Sequence, residues 1–233
     1  GFFRIEGGTP VKIPLSNRLL ACCGYIDPGA RVADVGCDHG YLAIHLLQSG
    51  LASRVYASDI RPGPLDSARR NGEKFGVSEK IAYFLSDGVR DVPRDFDTLV
   101  CAGMGADVMI SILEAAPWLR SNRCKLILQC QSKTPLLRKY LSETGWQIRR
   151  ERVLKDGRFL YTVIEAVWSP GTVLTPGQCY VSPALLAAKD ALLPDYICRV
   201  TDHLELSVRN QADISQWEKD AYGELKRLRE EMV

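Results

Sequence analysis

Acidic residues and glycines follow the first strongly apolar run of this 233-residue sequence. Residues 31–41 include Asp34, Gly36, Asp38 and Gly40. Glycines in a turn between a strand and a helix let the backbone approach a ligand. A dinucleotide site needs G-x-G-x-x-G and offers a helix N-terminus to a pyrophosphate, which carboxylates would repel. The carboxylates instead favour a ligand with a cationic amine and a sulfonium, such as S-adenosylmethionine; a turn that binds nothing is the alternative.

Further carboxylates stand after the next two apolar runs. Asp59 lies 23 positions after Gly36, close to the spacing of about 20 at which such folds place an acidic residue on ribose hydroxyls. Asp87 could accept a hydrogen bond from an adenine amino group, and either residue could instead cap a helix. Ligands of open α/β sheets bind outside the carboxyl ends of the strands. Together with the first loop, these carboxylates therefore indicate one nucleoside-containing ligand.

Small residues follow the fourth apolar run. We expect Ala102, Gly103, Met104 and Gly105 to form a loop whose carbonyl groups approach a methyl donor and an acceptor base. A tight turn before a helix explains these glycines nearly as well. Gln129, at the end of the fifth run, could read a base edge or merely cap the sheet. Gly103, Met104, Gly105 and Gln129 are the predicted substrate-positioning residues.

Short, β-branched apolar runs alternate with helix-like patterns before residue 170. The runs are 32–35, 55–57, 81–85, 96–101 and 126–130, and the helix-like patterns are 15–26, 40–50, 64–75, 106–116 and 134–144, with Ser16 as an early helix start. This alternation predicts an α/β fold with a parallel sheet and crossover helices. Runs 146–154 and 159–167 flank Asp156-Gly157, which predicts a terminal antiparallel hairpin and hence a mixed sheet of seven strands.

The character of the sequence changes near residue 170. We assign residues 1–170 to the main domain and residues 171–233 to a small α-helical, coiled-coil-like extension. Residues 172–183 are loop-like. Apolar positions from 197 to 228 then recur every three or four residues, which predicts a helix or helical hairpin with a turn at 210–213. The apolar face that these positions form either packs against its own chain or belongs to an arm that binds a partner or tRNA.

Composition narrows the classes of function. No apolar run approaches the roughly 20 residues that span a bilayer, and the N-terminus lacks a secretory pattern, so we expect a cytoplasmic protein. The eight cysteines are dispersed without a C-x-x-C pair, which favours reduced thiols over disulfides or a metal site. The net charge is +2, with the basic excess before residue 172, which is compatible with a nucleic-acid partner. The oligomeric state stays open, with a monomer as the simplest expectation.

Taken together, the motifs resemble the bacterial tRNA adenine-N1 methyltransferases that modify position 22. The resemblance runs over nearly the whole chain and is carried by residues 15–19, 34–42, 102–105 and 126–129 and by the helical extension. It implies a Rossmann-like class I methyltransferase domain, S-adenosylmethionine as donor and an appendage that helps to hold tRNA. The sequence departs from the family pattern at Gln129-Cys130-Gln131, usually Gln-Pro-Asn, and at Ala106, usually glycine. Both departures lie on the substrate side.

The resemblance extends the set of expected site residues. The predicted cofactor-binding residues are Arg18, Asp34, Gly36, Cys37, Asp38, His39, Gly40, Tyr41, Asp59, Ile60, Asp87, Gly88, Ala102, Gly103 and Met104. The predicted RNA-binding residues are Lys133, Arg138, Lys139, Arg149, Arg150 and Arg152, for which solvated surface charge is an equal alternative.

The expected activity is methylation of N1 of adenosine 22 in the D-arm of tRNA. N1 carries an in-plane lone pair, so attack on the sulfonium needs no strong general base, but the base must be unpaired or flipped out. Two alternatives remain: methylation of a small metabolite, and a cofactor-binding or RNA-binding protein without catalysis.

Overall fold

The computed structural model describes residues 13–121, 123–169, 171–210 and 213–232. Within these residues a seven-stranded sheet comprises β1 (Ala30–Val35), β2 (Ala52–Asp59), β3 (Ile81–Leu85), β4 (Thr98–Gly105), β5 (Lys125–Ser132), β6 (Trp146–Asp156) and β7 (Phe159–Trp168). The strand order is β3-β2-β1-β4-β5-β7-β6. Strands β1 to β5 run parallel and β7 runs antiparallel to both of its neighbours. The predicted mixed sheet and its terminal hairpin are thus confirmed.

Helices cover the sheet and continue beyond it. They are α1 (Asn17–Cys23), α2 (Tyr41–Gln48), α3 (Pro62–Lys74), α4 (Ala106–Ala115), α5 (Thr134–Glu143), α6 (Pro176–Tyr180), α7 (Pro183–Ala187), α8 (Leu193–Asn210) and α9 (Gln216–Glu231). Ser16 caps α1 by accepting a hydrogen bond from the Leu19 N–H, as its sequence context predicts. Among the described residues, no helix is long and apolar enough to cross a membrane.

Alternate strand residues build two apolar layers. Val32 and Val100 pack in the layer with α1, α2 and α3, whereas Ala33 and Leu99 pack in the layer with α4 and α5. This alternation follows from the two-residue period of a strand, and it buries both faces of the parallel part of the sheet. Burial on both faces fixes the register of the strands, so the carboxyl ends of β1, β2, β4 and β5 meet at one edge.

The segment 102–105 differs from expectation. The sequence predicts a loop there, but β4 continues through Gly105 because Ala102 and Met104 still pair with β5. The pairing is irregular at this point, and Gly103 has a left-handed backbone with φ of 78°. A glycine tolerates this conformation, so the strand can kink without ending.

The C-terminal segment is more helical than expected. The predicted loop at residues 172–183 contains α6, which starts with a capping box formed by Thr175 and Gln178. Helices α8 and α9 pack together, and the Arg229 Nη1–Asp202 Oδ1 distance of 2.8 Å shows that they run antiparallel. Residues 170, 211 and 212, on which the predicted boundary and part of the predicted turn fall, lie outside the described residues. The boundary itself stays a prediction.

The cysteine thiols are free, and seven of the eight are buried. Burial raises the pKa of Cys23 and of Cys179 to about 11, which lowers the reactive thiolate fraction at neutral pH about 100-fold. Cys198 is exposed. We expect a disulfide-exchange reagent to titrate one thiol rapidly in the native protein and all eight in denaturant. Cys198→Ser should remove the rapid phase; a second rapid thiol would contradict this assignment.

Candidate cofactor and substrate site

The loop between β1 and α2 has a tightly constrained backbone. Gly36, Asp38 and Gly40 have φ values of 74°, 48° and 70°. A Cβ at Gly36 would lie 2.3 Å from the Met104 Cε, and one at Gly40 would lie 2.9 Å from the Ala68 Cβ. Gly40 is therefore required by close packing as well as by its left-handed backbone, whereas Gly36 is required mainly by its left-handed backbone, because the Met104 methyl group can move aside. The N–H of Gly36 also donates to the Ser58 carbonyl at 2.8 Å, which holds the loop against β2.

A cavity of about 320 Å³ opens at the carboxyl edge of β1, β4 and β5. It is lined by Ser16, Arg18, Leu19, Asp34, Gly36, Cys37, Asp38, His39, Tyr41, Leu42, Ala102, Gly103, Gln129 and Gln131. Nine of the predicted cofactor-binding residues are in this set. Ser16, Leu19, Leu42 and Gln131 were not assigned from the sequence. The sequence marks Ser16 only as a helix start, and Leu19 and Leu42 are apolar residues without a polar group, so their residue types alone do not place them in a site.

Asp34 is the most unusual group in the cavity. Asp34 is only 4% exposed, and its Oδ2 has no hydrogen-bond partner among the described residues. Burial, with a smaller contribution from Asp59, raises the pKa of Asp34 to about 7. Buried polar oxygens are almost always paired. An unpaired carboxylate oxygen in a cavity wall is therefore suited to a ligand that brings a cationic donor.

A guanidinium lines the same cavity. Arg18 Nε donates to Asp156 Oδ2 at 2.7 Å, and its guanidinium carbon lies 5.6 Å from the centre of the Tyr161 ring. Asp156 ends β6, so the hairpin tip fixes Arg18. The pairing leaves other guanidinium N–H groups for a second partner. The cavity thus offers both a cationic group and an anionic group to one ligand.

Asp59 and Asp87 lie outside the cavity lining, on the neighbouring strands of the same edge. Asp59 is buried at the end of β2, and its Oδ1 accepts a hydrogen bond from the Arg61 N–H at 3.0 Å. Asp87 is exposed beyond β3 and lies 3.7 Å from an Arg90 nitrogen. Ile60 is exposed, and Gly88 is buried beneath Ile112. The assignment of these four residues to the adenosine part of the cofactor therefore stays a prediction.

Gln129 lies on the acceptor side of the cavity and is fully buried. Its Oε1 accepts from the Gly103 N–H at 3.1 Å, and its Nε2 donates to the Cys130 carbonyl at 3.1 Å. These bonds hold the irregular end of β4 against β5. Gly105 is equally confined, because a Cβ there would lie 2.8 Å from the Ser132 Oγ. Gln129 thus shapes the backbone around the cavity.

The prediction that Arg138 binds RNA is wrong. Its side chain is fully buried and forms an ion pair with buried Glu151 at 2.7 Å. It also donates to the Cys179 and Tyr180 carbonyls at 2.8 and 2.9 Å. A guanidinium with no exposed surface and with these partners cannot reach a phosphate. Its role is to join α5 and β6 to the C-terminal helices.

The other predicted RNA-binding residues are dispersed. Arg149 lines a separate cavity with Lys125, at the amino edge of the sheet. Arg150 pairs with Glu165, and Arg152 Nη2 donates to the Ala21 carbonyl. Lys139 lies over the Trp217 ring, and Lys133 pairs with Asp107 at 2.7 Å near the carboxyl edge. Lys133 lies directly after β5 at the carboxyl edge of the sheet, and Lys139 lies further along α5, beside Trp217.

Comparisons with known proteins agree with this geometry. Residues 15–164 match the family model described as a methyltransferase domain. The tRNA (adenine(22)-N(1))-methyltransferase of Bacillus subtilis is 32% identical over 156 residues, just under two thirds (66%) of each chain. The solved structure of a B. subtilis tRNA adenine-22 methyltransferase superimposes with a TM-score of 0.77 at 28% identity, covering 94% of this chain and 97% of that one. A Streptococcus pneumoniae protein in complex with S-adenosyl-L-methionine gives a TM-score of 0.81 at 26% identity, covering 92% and 99%.

Proposed function

We propose that this chain, which belongs to the methyltransferase-domain family, is a tRNA (adenine(22)-N(1))-methyltransferase that methylates N1 of an adenosine in the D-arm of tRNA. S-adenosylmethionine is the methyl donor. The observation that carries the proposal is the buried carboxyl group of Asp34, which lines a cavity at the carboxyl edge of the sheet and whose Oδ2 has no hydrogen-bond partner among the described residues.

The residues present fit S-adenosylmethionine. Asp34 supplies an anion for the ammonium group of the methionine part, and Arg18 supplies a cation for its carboxylate. Asp59 keeps one carboxylate oxygen for the ribose hydroxyls, since Arg61 N–H uses the other. Gly36 lines the cavity without a side chain, so its backbone is open to the ligand.

The chemistry places few demands on the protein. The cofactor supplies a methyl group on a sulfonium. Gln129 and Gly103 hold the end of β4 in a fixed conformation, so carbonyl groups near residues 102–105 can accept from the exocyclic amine of adenine. The N1 lone pair requires no deprotonation. Positioning the base at attack distance then accounts for most of the rate enhancement.

The test of this function is methylation of unmodified tRNA transcripts with radiolabelled S-adenosylmethionine. We expect incorporation and a reverse-transcription stop at adenosine 22, and no stop in a matched transcript that carries guanosine there. Label in no transcript would refute the tRNA proposal. Label only in a low-molecular-weight cell extract would favour a small-metabolite substrate instead.

Two further assignments belong to the same proposal. The helical extension begins after residue 170 and helps to hold tRNA; α8 and α9 share an apolar cluster that also includes Val153 of β6, so the extension is docked on the terminal hairpin. A cytoplasmic location is proposed because tRNA is the substrate.

A further inference from the structure

A second cavity of about 710 Å³ lies beside the cofactor cavity. Its walls are the residues after β5, the start of β7 and helices α8 and α9; we name it the acceptor cleft. Gln131 lines both cavities, so the cleft adjoins the cofactor cavity on the side of β5. Its volume is within the range of roughly 300–1,000 Å³ that is typical of small-molecule sites.

Aromatic rings dominate the cleft. Phe159 is 50% exposed, and its ring centre lies 6.1 Å from that of Tyr161. The rings of Tyr180 and Trp217, which also line the cleft, lie 5.6 Å apart. Exposed aromatic faces that line a groove bind unstacked bases without reading their sequence. One side of the Phe159 ring carries the Arg158 guanidinium, whose carbon lies 4.9 Å from the ring centre, and half of the residue is exposed.

The charges of the cleft suit a phosphate. Arg199 Nη1 donates to the Arg158 carbonyl at 2.9 Å, and among the described residues no carboxylate lies within ion-pair distance of its guanidinium. Lys133 and His203 also line the cleft. The acid in the lining, Glu218, accepts from the Ser215 N–H at 3.1 Å in the cap of α9, so its carboxylate is already hydrogen-bonded.

We propose that the acceptor cleft binds one unstacked nucleotide that flanks the target adenosine, with its base on the Phe159 ring and its phosphate at Arg199. The inference rests on the proposed function. It explains how the base can be presented unpaired: holding a neighbouring nucleotide outside the stack stabilises the opened RNA that N1 methylation requires.

The test compares steady-state methylation of tRNA by Phe159→Ala, Phe159→Trp and Arg199→Gln variants. We expect Phe159→Ala to raise the KM for tRNA about 10-fold or more, and Phe159→Trp to restore it. Arg199→Gln should reduce the slope of log KM against log salt by about 0.7. The KM for S-adenosylmethionine should not change. Val173→Ala and Arg70→Gln, exposed and distant from the cleft lining, serve as matched controls.

The outcomes separate the two proposals. If the wild type methylates tRNA and both Phe159→Ala and Arg199→Gln keep its KM for tRNA, the cleft proposal is wrong and the proposed function stands. An equal rise in the KM for S-adenosylmethionine would also overturn it, by assigning Phe159 to the cofactor site. If the wild type methylates no tRNA, the proposed function fails; weaker tRNA binding by Phe159→Ala in fluorescence anisotropy would then support the cleft, and unchanged binding would overturn it.

Discussion

Asp34→Asn should abolish measurable binding of S-adenosylmethionine and at the same time stabilise the unliganded protein at pH 8. The carboxylate is buried, and within the part of the chain that the structure describes its Oδ2 has no hydrogen-bond partner, so ionisation is unfavourable until a cationic ligand binds. A pKa raised from 3.8 to about 7 corresponds to about 4 kcal/mol of lost stability above pH 7. The buried amide group of the asparagine would itself lack a hydrogen-bond partner, which lowers the free energy of unfolding by about 1–3 kcal/mol. The expected net gain is therefore about 1–3 kcal/mol.

The pH dependence follows from the same shift. The native state holds the Asp34 proton more tightly than the unfolded chain, so the stability of the unliganded wild type should fall as pH rises from about 4 to 7 and should stay level above. Cofactor affinity should show the opposite trend. The ionised carboxylate binds the ammonium group, so affinity should rise as pH increases up to about 7.

Urea denaturation at pH 5 and pH 8, with calorimetric titration of the cofactor, tests both effects. Asp38→Asn is the matched control for stability, because Asp38 is an exposed carboxylate in the same loop and asparagine tolerates its left-handed backbone. Equal cofactor affinity of the Asp34→Asn variant and the wild type, or a wild-type affinity that does not vary with pH, would contradict the assignment of Asp34 to the ammonium group.

The sheet was predictable because its signals are local. Short β-branched runs, the Ser16 cap and the turn at Asp156-Gly157 each act within a few residues, and the structure contains all of them. The end of β4 was not predictable, because residues 102–105 pair with β5 in spite of two glycines. That pairing depends on Gln129, which is 26 positions away from Gly103.

The site was predicted at the level of strands and less well at the level of side chains. The acidic loop identified Asp34, and the alternation of elements placed Gln129 at the same edge. Arg138 was assigned to RNA binding from its charge alone, and this assignment is wrong because the side chain is buried. Its neighbours Leu137 and Leu141 are fully buried, which indicates that this face of α5 points inward, but only the fold brings Glu151 to it.

The largest loss of stability is expected for Arg138→Met. The guanidinium donates to both Glu151 oxygens, to the carbonyls of Cys179 and Tyr180, and to the side chains of Thr162 and Tyr196. Burial is the largest single influence and lowers the pKa of Arg138, but the charges and hydrogen bonds of Glu151 and Tyr196 together outweigh it, so the pKa is raised. Removing one member of a buried ion pair leaves the other charge uncompensated, which costs about 3–5 kcal/mol.

Matched variants distinguish the ion pair from a general effect of losing an arginine. Arg149→Met removes an exposed guanidinium from the strand that carries Glu151, and its free energy of unfolding should lie within about 0.5 kcal/mol of the wild type. Arg138→Met/Glu151→Leu removes both charges and should recover part of the loss, because no unpaired ion remains. A single Arg138→Met that loses less than about 1 kcal/mol would show that the pair is not essential to the fold.

The position of the Arg138–Glu151 ion pair also predicts which helices of the Arg138→Met variant unfold locally. Arg138 links α5 and β6 of the sheet layer to α6 and, through the Tyr196 hydroxyl, to α8. Helices α8 and α9 bury few residues against the rest of the chain by comparison with the two sheet layers. Hydrogen exchange in Arg138→Met should therefore accelerate in α6, α8 and α9 before it accelerates in β1 and β4. Uniform acceleration over the whole chain would instead make the extension part of one cooperative unit with the sheet, and would overturn the boundary near residue 170.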